Sequence, residues 1–107
     1  MQGKAKLLKV YLGENERYKN KPLYQHLLRW LREKEIGGVT VNRGIEGYGQ
    51  DKVIHTARIL ELSADLPIVL EIVDTPEKIE AILPELCQMV PKGLVFSADI
   101  YVHKYGK

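Results

Sequence analysis

Pro67-Ile68-Val69-Leu70-Glu71-Ile72-Val73-Asp74-Thr75-Pro76-Glu77 is the stretch that decides the fold of this 107-residue chain. Its first part is rich in β-branched side chains and reads as a strand, Pro67 to Val73, bounded by Asp65 and Asp74. Thr75, Pro76 and Glu77 then open a helix. A threonine oxygen accepts a first-turn amide, proline presets φ, and the acid sits at the positive end of the dipole. Ile79, Ile82, Leu83, Leu86 and Val90 fall at helical spacing and form the buried stripe. Pro84 lies within that helix and removes the bond to the Glu80 carbonyl, so a kink or an early break is expected there.

Outward from this junction the remaining elements follow. Pro91-Lys92-Gly93 is a turn, and Leu94 to Val102 is the last strand. Upstream, the second strand is Val39 to about Arg43, and the first is about Lys6 to Leu12. Between them a helix, about Pro22 to Glu35, carries Leu23, Leu27, Trp30 and Leu31 in one stripe, with Tyr24 and Leu28 beside it. Gly37 and Gly38 are expected to stop it, since glycine takes the left-handed cap cheaply. The order is βαββαβ, the ferredoxin-like α+β sandwich. Right-handed crossovers place both helices on one face of a four-stranded antiparallel sheet.

Alternation divides the sheet residues. Leu8, Val10, Leu12, Val39, Val41, Ile68, Leu70, Ile72, Leu94, Phe96, Ala98 and Ile100 are expected beneath the helices. Leu7, Lys9, Tyr11, Thr40, Asn42, Val69, Glu71, Val73, Val95, Ser97, Asp99 and Tyr101 are expected on the open face. That mixture of valine, tyrosine and short polar residues suits a subunit interface, as in a cyclic trimer with inward-facing sheets. A half-wetted antiparallel sheet is the alternative.

Composition sets the class. Hydrophobic residues at 45% exclude a disordered chain, and one domain spanning 1–107 is expected. A net charge of +2 offers no footprint for nucleic acid or an anionic membrane. No apolar run approaches the roughly 20 residues that span a bilayer, and Met1 to Lys9 is too polar for a signal peptide, so a cytoplasmic protein is expected. Cys87 has no partner for a disulfide and is expected half-buried beside Leu86. The histidines at 26, 55 and 103 are scattered, without metal-ligand spacing. Ser63, Ser97, Thr40 and Cys87 have no local base, and Glu71 and Asp99 are acids that the sheet could bring together, so no enzyme is expected.

The second and third strands are joined by an over-long loop, 44–64, where a hairpin needs two to five residues. It opens Arg43-Gly44-Ile45-Glu46-Gly47-Tyr48-Gly49-Gln50-Asp51-Lys52. Its glycines let backbone amides approach an anion. No Gly-Lys-Ser/Thr follows, which excludes a Walker loop, and the glycine order is not that of a dinucleotide fingerprint. A ligand-binding loop and a flexible hairpin tip both fit.

Gly38-Val39-Thr40-Val41 running into Gly47-Tyr48-Gly49 resembles the second strand and loop base of PII signalling proteins. Ile68 to Val73 and Gly93 to Ile100 are similar too. Lys6-Leu7-Leu8-Lys9-Val10-Tyr11-Leu12-Gly13-Glu14, Arg43-Gly44-Ile45 and Asp65-Leu66-Pro67-Ile68-Val69 more closely resemble a PII-like group catalogued as a domain of unknown function. The resemblance implies a homotrimer binding an adenine nucleotide between subunits. By position, Thr40, Glu71 and Val73 would surround the base. Gly47, Tyr48, Gly49 and Gln50 would wrap the sugar and phosphates, and Lys92 and Gly93 would close the phosphate side. Gln50 stands where PII proteins usually carry arginine, the 91–93 turn has fewer glycines and cations, and His103-Lys104 replaces further basic residues. Fewer cations imply AMP or ADP over ATP, and leave Arg43 as the candidate phosphate contact, with pairing to Glu46 or Glu71 as its alternative. The loop would order on binding and contact a target protein, such as a membrane transporter. Divalent-cation tolerance proteins share the architecture, so a metal-binding or scaffolding trimer is the competing expectation.

Overall fold

The computed structural model describes residues 1–56 and 65–106. In chain order the elements are β1 Gly3–Gly13, β2 Arg17–Tyr18, β3 Lys21–Pro22, α1 Leu23–Glu33, β4 Gly38–Arg43, β5 Glu46–Gly47, β6 His55–Thr56, β7 Pro67–Asp74, α2 Pro76–Met89 and β8 Leu94–Val102. The main sheet has the order β4-β7-β1-β8, antiparallel throughout. β1 is therefore a central strand, paired along its length with β7 on one side and β8 on the other. Both helices cover one face. Leu8, Val10, Leu12, Ile68, Leu70 and Ile72 of the sheet meet Leu23, Leu27 and Leu31 of α1 and Ile79 and Leu86 of α2. This is the ferredoxin-like α+β sandwich. Among the described residues no helix is long and apolar enough to cross a membrane.

The helix ends show how local chemistry sets the frame. Thr75 caps α2, its Oγ1 accepting the Lys78 amide at 3.4 Å. α1 does not end on its glycines. Glu35 takes the left-handed conformation, φ +60°, while the Ile36 amide reaches the Leu31 carbonyl at 3.1 Å and the Glu35 amide reaches Arg32 at 3.0 Å. That paired closure satisfies the last carbonyls without glycine, helped by Ile36 lying against the core. Gly37 has another duty: its amide donates to Asp74 Oδ2 at 2.8 Å.

Pro84 does not break α2, which runs on to Met89. Leu86 and Met89 beyond it are buried, each contributing roughly 1.5–3 kcal/mol. Together they offset an interior proline's cost of about 3 kcal/mol.

The largest departure from expectation is the face of β8. Val10 pairs with Val95 and Leu8 with Ser97, so Val95, Ser97, Asp99 and Tyr101 lie on the helix side. Leu94, Phe96, Ala98 and Ile100 belong to the open face, one residue out of the expected phase. Val95 packs against the core, and the Phe96 ring stacks on Tyr11 with centroids 6.0 Å apart, in agreement with this register. Every β8 residue except Val95, Ile100 and Val102 is exposed. With no helix above it, β8 received no burial signal that could set its phase.

Candidate functional site

The open face is a grid. One row across it is Thr40, Glu71, Lys9 and Phe96; its neighbours are Gly38, Val73, Leu7, Ala98 and Asn42, Val69, Tyr11, Leu94. The corrected phase of β8 makes this face more apolar than alternation from sequence suggested. Polar groups concentrate at the β4 edge, where Asn42 Nδ2 donates to Glu71 Oε1 at 3.3 Å. Thr40, Glu71 and Val73 are thus neighbours, and Thr40 stands directly across from Glu71.

The loop leaves from the end of this edge. The Gly44 amide donates to the Pro67 carbonyl at 2.6 Å, and a Cβ at Gly44 would stand 2.7 Å from Pro67 Cγ. Glycine is therefore required where the chain leaves β4 against the start of β7. The next residues are not structureless: β5 and β6 pair, Glu46 with Thr56 and Gly47 with His55. The Lys52 amide closes a turn on the Gly49 carbonyl at 3.0 Å, and its ammonium lies 5.4 Å from the centre of the Tyr48 ring. Ile45, Tyr48, Val53 and Ile54 are exposed, Ile45 to 79%. Among the described residues nothing lies within 4 Å of a Cβ built at Gly49, and its φ is not left-handed, so none of them asks for glycine there. Gln50 is exposed beside it. The remainder of the expected loop, 57–64 with Ser63, lies outside the described residues.

Arg43 pairs with neither Glu46 nor Glu71. Its Nη2 donates to Glu14 Oε2 at 2.5 Å. Glu14 follows β1, and the register that sets the end of β1 beside β7 and β4 carries it within reach. The same turn holds the far side of the loop: the Glu14 amide donates to the Leu66 carbonyl and the Asn15 amide to Asp65 Oδ1, both at 2.8 Å. Neither Glu14 nor Asn42 stands out in the sequence as a partner at the site, because neither pairing has a signature in residue spacing.

Lys92 and Gly93 sit at the other edge. Gly93 has φ +126°, and a Cβ there would run into the Tyr11 carbonyl oxygen, so the fold requires this glycine. Lys92 is exposed beside it. This turn and Arg43 lie at the same end of the sheet but on opposite edges, three strand spacings or about 14 Å apart. The expected site residues therefore form two groups. Thr40, Glu71 and Val73 lie on the open face, Gly47, Tyr48, Gly49 and Gln50 in the loop beyond it, and Arg43, paired with Ile68, in the helix-side phase at the end of β4, while Lys92 and Gly93 stand apart.

Other candidates resolve simply. Glu71 and Asp99 do not meet: they face opposite sides of the sheet, and Asp99 lies 3.7 Å from Lys6. Cys87 is exposed rather than half-buried, one helical step off the buried stripe. His26 stacks on Tyr18 at 4.2 Å and His103 leans on Tyr101 at 5.1 Å. Among the described residues no group of three or more His, Cys, Asp or Glu could hold a metal ion.

Comparison with known proteins bears on the family and the fold. Residues 5–102 match the family model DUF190, described as "Uncharacterized ACR, COG1993". A UPF0166 protein of Methanocaldococcus jannaschii is 38% identical over 102 residues, covering 94% of each chain. Among solved structures, CPII of Thiomonas intermedia K12, a nitrogen regulatory PII-like protein bound to ADP, AMP and bicarbonate, is similar with a TM-score of 0.72. The identity is 18%, over 94% of this chain and 90% of that one. CutA1 of Oryza sativa has a TM-score of 0.61 at 15% identity, over 99% of this chain and 85% of that one.

Proposed function

The chain belongs to the DUF190 family, and on that premise we propose that it is a PII-like regulatory protein that binds an adenine nucleotide between the subunits of a homotrimer. The observation that carries this reading is the split of the site residues. The loop group and the Lys92–Gly93 turn lie at one end of the sheet on opposite edges, about 14 Å apart. A second copy that brings its β8 edge against the β4 edge of the first would join them around one ligand. The apolar open face supplies the surface for such an assembly. CPII, of the same fold, holds ADP and AMP, which supports the ligand class.

Thr40, Glu71 and Val73 would face the base. Gly47 to Gln50 would wrap the sugar and phosphates, with Gly49 free for close backbone approach. Arg43, Lys92 and Gly93 would meet the phosphates. With Gln50 uncharged and Lys92 the one cation of its turn, the site suits AMP or ADP better than ATP. Signalling would run through the 44–64 loop, ordered by ligand and presented to a target protein such as a membrane transporter. The exposed Ile45, Tyr48, Val53 and Ile54 are an apolar contact surface suited to that role.

Calorimetry with AMP, ADP and ATP on the full chain tests the reading. AMP or ADP is expected to bind more tightly than ATP. ATP binding about tenfold tighter than AMP, a difference of about 1.4 kcal/mol, overturns the preference. No binding of any adenine nucleotide at millimolar concentration overturns the reading itself. Light scattering that returns a monomer removes the intersubunit cleft.

A further inference from the structure

We infer that Glu14 determines how many phosphates the site accepts, by holding Arg43 with a carboxylate of the chain itself. This rests on the nucleotide reading above and names the residue that would set its selectivity.

The two partners of the ion pair are unequal. Glu14 is anchored: its amide bonds the Leu66 carbonyl at 2.8 Å, the Gly13 amide before it bonds Glu16 Oε2 at 2.6 Å, and the Asn15 amide after it bonds Asp65 Oδ1 at 2.8 Å. Three successive amides are thus committed, and the Glu14 side chain is 22% exposed. Arg43 is the freer member, 55% exposed, at the last position of β4 where the loop begins. A guanidinium has five donors in a fixed fork, and Glu14 engages Nη2. The other donors have no partner among the described residues and could meet a ligand.

Charge then decides what that ligand is. Glu14 cancels most of the field of Arg43, so a phosphate finds donors there with little net attraction. Each further phosphate carries charge that an unpaired Arg43 would attract and that Arg43 held by Glu14 attracts far less. The penalty grows with the number of phosphates, and screening over roughly 8–10 Å limits it to groups close to the pair. A monophosphate feels it least and a triphosphate most. The pair also has a structural position, since the Gly13–Asn15 turn holds both the beginning of the loop through Arg43 and its end through Asp65 and Leu66. A ligand that draws Arg43 away loosens one of those holds and leaves the other in place.

The test is calorimetry with AMP, ADP and ATP on the natural chain and on Glu14→Gln, which keeps the shape and removes the charge. The expected result is a graded gain, about tenfold for ATP and about twofold for AMP. The gain for ATP should vanish when Arg43→Gln is added, because Glu14 acts through Arg43. Glu14→Ala repeats the comparison with charge and bond both removed, so a folding defect peculiar to glutamine does not decide the outcome. Equal gains for all three nucleotides, no gain, or a gain that persists without Arg43 each overturn the role of Glu14 while leaving nucleotide binding intact. If the natural chain binds none of the three, the nucleotide reading fails, and this role fails with it.

Discussion

β7 and β8 are both apolar strands beside β1, and their surroundings are opposite. β7 lies between β1 and β4 under the helices, and its residues alternate half-buried and buried without exception. β8 has a neighbour on one side only and no cover, and most of its residues are exposed. Apolar content alone does not tell a strand which way to face. A cover does, because a one-residue slip then moves every side chain from core to water. β7 is a core strand, and β8 is a largely exposed edge.

Six substitutions break or sharpen this contrast. Leu70→Ala, at the centre of β7, should cost about 2–5 kcal/mol in denaturant titration, against about 1 kcal/mol for Val95→Ala, the β8 residue against the core. Equal costs would erase the distinction. Gly93→Ala forces a side chain into a left-handed φ and against Tyr11, and should cost at least about 1–3 kcal/mol. Gly49→Ala, in open space, should stay within about 0.5 kcal/mol. Thr75→Ala removes the α2 cap and about 1 kcal/mol. Since α2 packs on β1 and β7, amide exchange should quicken in β7 and hold steady in β8. Phe96→Ala should change the folding of a single chain by less than about 1 kcal/mol. Its effect should appear instead as loss of mass in light scattering if β8 completes the proposed assembly.

The same contrast explains what was legible in the sequence. The strand of Pro67 to Val73, the Thr75 cap and the stripes of both helices are written in local pattern, and each sits where pattern puts it. The phase of β8 has no local sign, because little of the strand is buried within the chain. The arrest of α1 at Glu35 depends on Ile36 finding the core, and the continuity of α2 through Pro84 depends on Leu86 and Met89 doing the same. At the site, the glycines could be read but their reasons could not. Gly44 and Gly93 answer to Pro67 and Tyr11, which are distant in sequence, while Gly49 answers to nothing among the described residues. The Arg43–Glu14 pair spans 29 positions and was invisible to any spacing rule.

The central position of β1 has a consequence for how the protein is made. It leaves the ribosome first, yet both its partners come late, β7 from Pro67 and β8 from Leu94. At about 5–20 residues per second the nascent strand waits several seconds with both edges bare. Lys4, Lys6 and Lys9, interspersed among Ala5, Leu7, Leu8 and Val10, are the residues that discourage it from pairing with another nascent copy meanwhile.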